Sequence, residues 1–325
     1  MPTFCRHNRL IQNCTICSRE QSIEPRPIVS SSTPASSARA PRAARPSSGG
    51  GSRGGAAVRV SRLERGADDG YRNQLVPGVK SSADGERLAE ELAFAARRLE
   101  LLATDPPGLY REVGSDELEI EERSWLAFLI AYLGPLDHED PFAEIARVRT
   151  TWAAAEDPAL DGVATGPRSA HEERRGTRTI DAYRAWAARA GSQAAAFTGE
   201  AAWTPERRFA RAFERLALPG LHRDARFDLL VTLGTLGVYE LVAGALQFGG
   251  DNETTIAAKR VFGIGDPLLL ERRATELARA CGLPIATLDA GLYNWGRGGR
   301  ATLGLGDGMT VDDEALDSAR AALGL

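Results

Sequence analysis

Residues 251–295, DNETTIAAKRVFGIGDPLLLERRATELARACGLPIATLDAGLYNW, contain the pattern that decides the fold. Residues 254–261 predict a short helix, and Phe262-Gly263-Ile264-Gly265 predicts a tight turn. Asp266-Pro267 then starts a second helix, as N-cap and first helical residue, and Gly282 ends it. A helix, Gly-x-Gly hairpin and helix can hold backbone N–H groups against a phosphate, because the glycines permit close approach and the second helix begins with partial positive charge.

Charged groups on either side of this hairpin are the candidate functional residues. Lys259 and Arg260 precede the hairpin and are placed to reach phosphate as point charges. Asp289 follows the second helix and is the candidate catalytic carboxylate, able to stabilise a cationic sugar or activate a nucleophile. The alternative is that Asp289 is an ordinary N-cap of a helix over 288–295, and the two roles are compatible. Tyr293 and Trp295 are candidates for stacking on a base, although core packing is the favoured interpretation.

The pattern resembles the helix-hairpin-helix DNA glycosylase superfamily. That family has a hydrophobic-Gly-hydrophobic-Gly hairpin, a helix, Gly-x-Pro and a catalytic Asp, matched here by residues 262–265, residues 266–281, Gly282-Leu283-Pro284 and Asp289. The resemblance implies DNA as partner, phosphate binding by Gly263, Ile264 and Gly265, catalysis by Asp289, and a role in DNA repair or base modification. The group that looks most similar is the alpha-glutamyl/putrescinyl thymine pyrophosphorylases, which implies displacement of pyrophosphate from an activated hydroxymethyl pyrimidine by an amine.

The chain departs from the family pattern in three respects. The distance from hairpin to Asp289 is about one helical turn longer than usual. Pro267 and Leu268 lie where bifunctional members have a Schiff-base lysine, and no four-cysteine cluster follows the domain. We therefore expect neither lyase activity nor an iron–sulfur cluster.

Composition limits the class of protein. The 325 residues are 43% hydrophobic and 26% charged, with a formal net charge of −4, so any nucleic-acid contact must come from a local patch and not from overall basicity. The start, MPTFCRHN, lacks the apolar core of a signal peptide, and the longest apolar runs are too short to cross a bilayer. These features predict a cytoplasmic protein with no membrane partner.

The first 20 residues contain the spacing of a zinc knuckle. Cys5, His7, Cys14 and Cys17 form C-x-H-x6-C-x2-C, which supplies four ligands of the kind that tetrahedral Zn2+ prefers. A closed set of four ligands indicates a structural Zn2+ whose binding drives folding of this short segment, with the knuckle as a possible second contact for a partner. The alternative is a set of free thiols.

The remaining segments separate by composition. Residues 21–57 are rich in Ser, Pro, Gly and Arg, which predicts a disordered basic linker, and residues 58–82 predict an extended or hairpin segment. From residue 83 to 310 the apolar spacing is helical, and residues 311–325 predict a C-terminal helix. Residues 124–133, SWLAFLIAYL, are apolar on every side and predict a central buried helix. Residues 153–178 predict a loop, and residues 238–246 another short helix.

Two further features have competing interpretations. Six arginines lie within residues 207–226, and they form either a solvated, salt-bridged face or a face toward DNA. Cys281 lies on the apolar side of its helix and is interpreted as a buried thiol, not a nucleophile.

The sequence therefore predicts an all-α, helix-hairpin-helix DNA glycosylase-like domain with a small N-terminal zinc knuckle. The leading functional hypothesis is an enzyme that binds DNA and acts on a modified base. The alternatives are a non-catalytic DNA-binding module and a helical protein-interaction domain in which the hairpin is only a turn.

Overall fold

The computed structural model describes residues 66–154, 156–306 and 309–325. Within these ranges every regular element is a helix, so the predicted all-α class is confirmed. The proposed zinc ligands and the linker over residues 21–57 lie outside the described residues.

Twelve α-helices follow one another in the described ranges. Before the first, residues 66–81 run as turns and irregular backbone. The helices are α1 (Ser82–Thr104), α2 (Leu109–Gly114), α3 (Ile120–Leu133), α4 (Ala143–Val148), α5 (Arg178–Ala190), α6 (Gln193–Thr198), α7 (Pro205–Arg215), α8 (Arg223–Thr235), α9 (Glu253–Phe262), α10 (Pro267–Ala280), α11 (Thr287–Arg297) and α12 (Asp313–Leu323), with one 3-10 turn at Glu173–Arg175.

Helix α3 is the buried axis of the core. Every residue of α3 from 123 to 133 is buried, as its uniformly apolar sequence predicts. Its Phe128 ring stacks on Tyr183 of α5 with ring centroids 3.8 Å apart, and Trp125 lies 5.4 Å from Phe128. Truncating such a fully buried aromatic side chain to Ala typically costs about 3–5 kcal/mol.

Helix α11, which carries Asp289, is held between α1 and α9 by close contacts at its glycines. A Cβ at Gly291 would lie 2.8 Å from a methyl carbon of Leu92 on α1. A Cβ at Gly296 would lie 2.6 Å from Ala257 on α9. The absence of side chains at these two positions lets the backbones approach, and the position of Asp289 is therefore fixed by packing on both sides.

The predicted helix over residues 238–246 is wrong, since these residues are irregular. Gly237 and Gln247, at either end, adopt positive φ values of 71° and 56° that a continuous helix does not permit. The segment is instead held by the Glu271 carboxylate, which accepts from the N–H groups of Leu246 at 2.8 Å and Phe248 at 2.7 Å. Tertiary contacts of this kind override a local preference for helix.

The short helices α2 and α6 were not predicted, whereas the loop over residues 153–178 is largely irregular apart from its 3-10 turn. Across the described ranges, no helix combines the length and the apolar character that crossing a bilayer requires.

Candidate functional site

Asp289 lies in the first turn of α11 and is only 2% exposed. The helix begins at Thr287 after Ala286, and no side chain caps it. The interpretation of Asp289 as a helix N-cap is therefore wrong. Its carboxylate faces inward and must find its hydrogen-bond partners among the side chains of other elements, because a buried carboxylate without partners is unstable.

Two buried arginines supply those partners. Arg168, in the loop after α4, donates from Nη2 to Oδ2 of Asp289, and Arg223, the first residue of α8, donates from Nη1 to Oδ1. Their side chains are 1% and 5% exposed. Each oxygen of Asp289 therefore accepts from its own guanidinium, an arrangement that fixes the carboxylate in place.

The same arginines also bind two aspartates on α8. Arg168 forms a two-point contact with Asp228, from Nε at 2.6 Å and from Nη2 at 3.1 Å. Arg223 donates to Asp224 at 3.0 Å, and the hydroxyl of Thr254 on α9 donates to the same carboxylate oxygen at 3.1 Å. We call Arg168, Arg223, Asp224, Asp228 and Asp289 the ion-pair cluster.

The cluster holds three carboxylates against two guanidiniums, so one negative charge is not matched within it. Burial raises the pKa of Asp289 above its ordinary value, and the neighbouring charges of Asp224 and Asp228 add to that rise against the opposing guanidiniums of Arg168 and Arg223. For Asp224, burial also favours the neutral form, but the two guanidiniums outweigh it and lower its pKa. Of Asp289 and Asp224, Asp289 is therefore the carboxylate that holds a proton more readily. Carboxylates with a pKa shifted in this way are typical of functional sites.

The backbone at Arg168 is itself unusual. Its φ is 67°, in the left-handed region that non-glycine residues rarely adopt. The side chain lies over the ring of Tyr293 on α11, 4.7 Å from the ring centroid, and so reaches the cluster stacked on an aromatic face. A strained backbone held by a buried charge network is characteristic of sites where a side chain must point in one direction.

A small cavity adjoins the cluster. Arg98, Tyr110, Arg168, Asp228 and Thr232 are among the residues that line it, and its volume is about 10 Å³. That volume accommodates about one water molecule. A nucleobase would reach this part of the protein only after the walls of the cavity had moved apart.

The predicted hairpin is present. Helix α9 ends at Gly263, whose φ is 65°, and α10 begins after Asp266, whose carboxylate accepts from the N–H of Leu269 at 3.0 Å. Gly265 is exposed, and within the described residues the N–H groups of Ile264 and Gly265 have no protein acceptor. These groups are therefore available to a ligand or to water.

The charged residues beside the hairpin are accessible. Arg260 is exposed, and Lys259 is partly exposed with its ammonium 3.8 Å from Asp251. The carbonyl of Arg260 packs on Gly78, where a Cβ would lie only 1.8 Å from that oxygen. The N–H of Gly78 donates to the carbonyl of Val261 at 2.9 Å, so the segment before α1 supports the end of α9.

The two aromatic candidates are buried. Tyr293 packs with Ala95, Ala290 and Leu303, and the indole N–H of Trp295 donates to the carbonyl of Asp84 at 3.0 Å. In this conformation neither ring presents a face to a base, and both have the core packing that the sequence favoured.

The basic stretch over residues 207–226 does not form one face. Arg208 and Arg223 are buried, the first with an ion pair to Glu240 at 2.9 Å, and Arg226 stacks on Phe213. The side chains of Arg207, Arg211 and Arg215 are exposed. The six arginines therefore do not share one surface, whether that surface is interpreted as solvated or as facing DNA.

Arg168 is the functional candidate that sequence reasoning missed, because it lies in a polar loop without periodicity. Asp228 carried a usable signal, since it stands between Phe227 and the apolar run Leu229–Leu230 on a buried helix, where an unpaired charge is costly. Across the described ranges, no group of three or more His, Cys, Asp or Glu side chains is arranged to hold a metal ion. The proposed ligands Cys5, His7, Cys14 and Cys17 are outside those ranges.

The fold and site together define an all-helical protein with a buried ion-pair cluster and an exposed Gly-x-Gly hairpin. No family model matches this chain, and comparison with curated proteins and with solved structures also finds no match.

Proposed function

We propose that this protein binds DNA through its hairpin and acts on a modified base, with Asp289 as the catalytic carboxylate. The observation that carries the proposal is the hairpin at Gly263–Gly265. Its N–H groups at Ile264 and Gly265 have no acceptor among the residues that the structure describes, and they adjoin the start of α10. Backbone N–H groups in this arrangement bind phosphate oxygens. Arg260 adds an exposed positive charge beside them.

The chemical part of the proposal depends on the carboxylate. Asp289 is buried, ionisable and held in one orientation by two guanidiniums, and burial raises its pKa. A carboxylate of this kind is suited to stabilise a cationic sugar or to accept a proton from a nucleophile. The finer assignment, displacement of pyrophosphate from an activated pyrimidine by an amine, follows from the family resemblance alone. We further propose a structural Zn2+ at Cys5, His7, Cys14 and Cys17, and a cytoplasmic location.

The second candidate function is a non-catalytic DNA-binding module. One observation favours it: both oxygens of Asp289 already accept from guanidinium groups, and the adjoining cavity has room for about one water molecule. In such a module the ion-pair cluster would only stabilise the fold.

The experiment compares DNA binding by the full chain with Gly265→Val and with the matched control Gly249→Val. Neither glycine has a positive φ, and a Cβ at either position meets nothing within 4 Å, so both variants should fold. We expect Gly265→Val to weaken binding to plain and hydroxymethyluracil-containing duplexes by about tenfold, because the side chain keeps phosphate away from the N–H groups. Gly249→Val should bind like wild type.

Salt and chemistry provide two further tests. Binding of wild type should weaken steeply between 50 and 200 mM salt. Loss of base modification in Asp289→Asn, with DNA affinity kept, would favour the enzyme over the binding module. Equal binding by wild type and Gly265→Val, or no binding by wild type to either duplex, would refute the DNA proposal.

A further inference from the structure

A second pocket lies on the part of the domain formed by α5, α6 and α7. Its volume is about 300 Å³, and its lining includes Trp186, Ala190, Ala196, Arg189 and Arg215. Trp186 and Ala196 are buried at its base, whereas both arginines and Ala190 are exposed. The pocket therefore combines an apolar base with two positive charges and, among these five lining residues, no acidic side chain.

Neither arginine is neutralised by an acidic side chain of the described part of the chain. Within the described residues no carboxylate lies within 4.0 Å of either guanidinium, whereas the nearby Arg211 pairs with Glu214 at 2.8 Å. Arg215 is positioned by an aromatic ring instead, with its guanidinium 5.2 Å from the centroid of Trp203. Stacking limits the freedom of the side chain without cancelling its charge.

Helix electrostatics account for the charges but not for the pocket. Arg189 lies in the last turn of α5 and Arg215 in the last turn of α7, where a cation offsets the helix dipole. That role would be met equally well on a flat polar surface. The concave apolar space that both arginines line is the additional feature. Pockets of roughly 300–1,000 Å³ with an apolar lining and a few charged groups are typical of small-molecule sites.

We propose that this pocket binds a phosphate monoester that carries a flat apolar group. The two guanidiniums match the two negative charges of such a phosphate. A ligand with a carboxylate group carries one negative charge and would neutralise only one guanidinium. The apolar base formed by Trp186 and Ala196 then covers the flat part of the ligand. The proposal is independent of DNA binding at the hairpin and of chemistry at Asp289.

The test is isothermal titration calorimetry of the full chain with 1-naphthyl phosphate, inorganic phosphate and 1-naphthol. Naphthyl phosphate should bind at least about tenfold more tightly than either fragment, because only it satisfies both the charges and the apolar base. Arg189→Gln and Arg215→Gln should each weaken binding by about tenfold. Ala190→Trp should weaken it to a similar extent by filling an exposed side of the pocket.

Arg178→Gln is the matched control, since Arg178 is exposed on the same helix and does not line the pocket. The affinity of Arg178→Gln for naphthyl phosphate should stay within about twofold of wild type. Far-UV circular dichroism should show that every variant is folded. Competition by thymidine monophosphate and by a 5′-phosphorylated oligonucleotide distinguishes a free nucleotide from a nucleic-acid end as the source of the phosphate. Three results would overturn the proposal: no binding to wild type at millimolar ligand, inorganic phosphate binding as tightly as naphthyl phosphate, or unchanged affinity in both Arg189→Gln and Ala190→Trp.

Discussion

Replacing Asp289 with Asn should destabilise the folded domain by about 2–4 kcal/mol. Removing one partner of a buried ion pair typically costs about 3–5 kcal/mol when the remaining charge is left alone. Here Arg168 keeps Asp228 and Arg223 keeps Asp224, and the raised pKa of Asp289 means that the fold favours its charge only weakly, so the loss is smaller. The amide N–H2 of Asn, however, would face a guanidinium N–H, and a buried donor without an acceptor costs about 1–3 kcal/mol.

Urea unfolding followed by circular dichroism at 222 nm measures this change, because every regular element in the described part of the domain is a helix. With a slope of about 3 kcal/mol per molar urea, the midpoint of Asp289→Asn should fall by about 1 M. The shift should be nearly the same in 0.1 M and 1 M NaCl, since salt screens buried charges weakly.

The matched control is Glu144→Gln, which removes a solvent-accessible ion pair with Arg147 and should hardly move the midpoint. An Asp289→Asn midpoint equal to that of wild type would refute the reasoning, because it would mean that the carboxylate does not hold the two arginines together.

Two further predictions follow from single groups. Hydrogen bonds from the hydroxyl and N–H of Ser82 lower the pKa of Asp69 to about 2, so the Asp69 carboxylate stabilises the fold above its unfolded pKa and this effect is lost as pH falls toward 2. The difference in unfolding free energy between wild type and Asp69→Asn should therefore narrow from pH 5 to pH 2. A constant difference would contradict this prediction. Burial raises the pKa of Cys281 to about 11, so iodoacetamide at pH 8 should leave this thiol unmodified in the native chain and alkylate it in urea. Peptide mapping measures the modification, and rapid alkylation in the native chain would contradict the burial of Cys281.

Local sequence signals predicted several helices from a cap or an apolar period, although α6 was missed despite its N-cap Ser192. Thr204-Pro205 and Asp266-Pro267 mark the beginnings of α7 and α10, and both N-cap side chains accept a backbone N–H. The uniformly apolar run over residues 124–133 identified the buried helix. These features depend on neighbouring residues only, so a single sequence contains the information.

The ion-pair cluster could be predicted only in part, because its members lie far apart in the chain. Asp289 was identified from its position after the hairpin, but its partner Arg168 is 121 residues away in a loop without periodicity. The segment over residues 238–246 shows the same limitation, since its conformation depends on the Glu271 carboxylate of α10. Contacts between distant residues depend on the whole topology, and local spacing does not report them.

The sequence separation within the cluster has a consequence for folding. Arg168 and Asp289 are 121 residues apart, and Arg223 and Asp289 are 66 apart, so the cluster assembles only after α11 has docked between α1 and α9. During synthesis, both arginines emerge from the ribosome well before their shared partner and remain hydrated until the C-terminal part arrives. A chain truncated before residue 287 would keep Asp224 and Asp228 beside these guanidiniums but would lack Asp289 and the packing of α11. We expect such a fragment to fold incompletely and to be degraded.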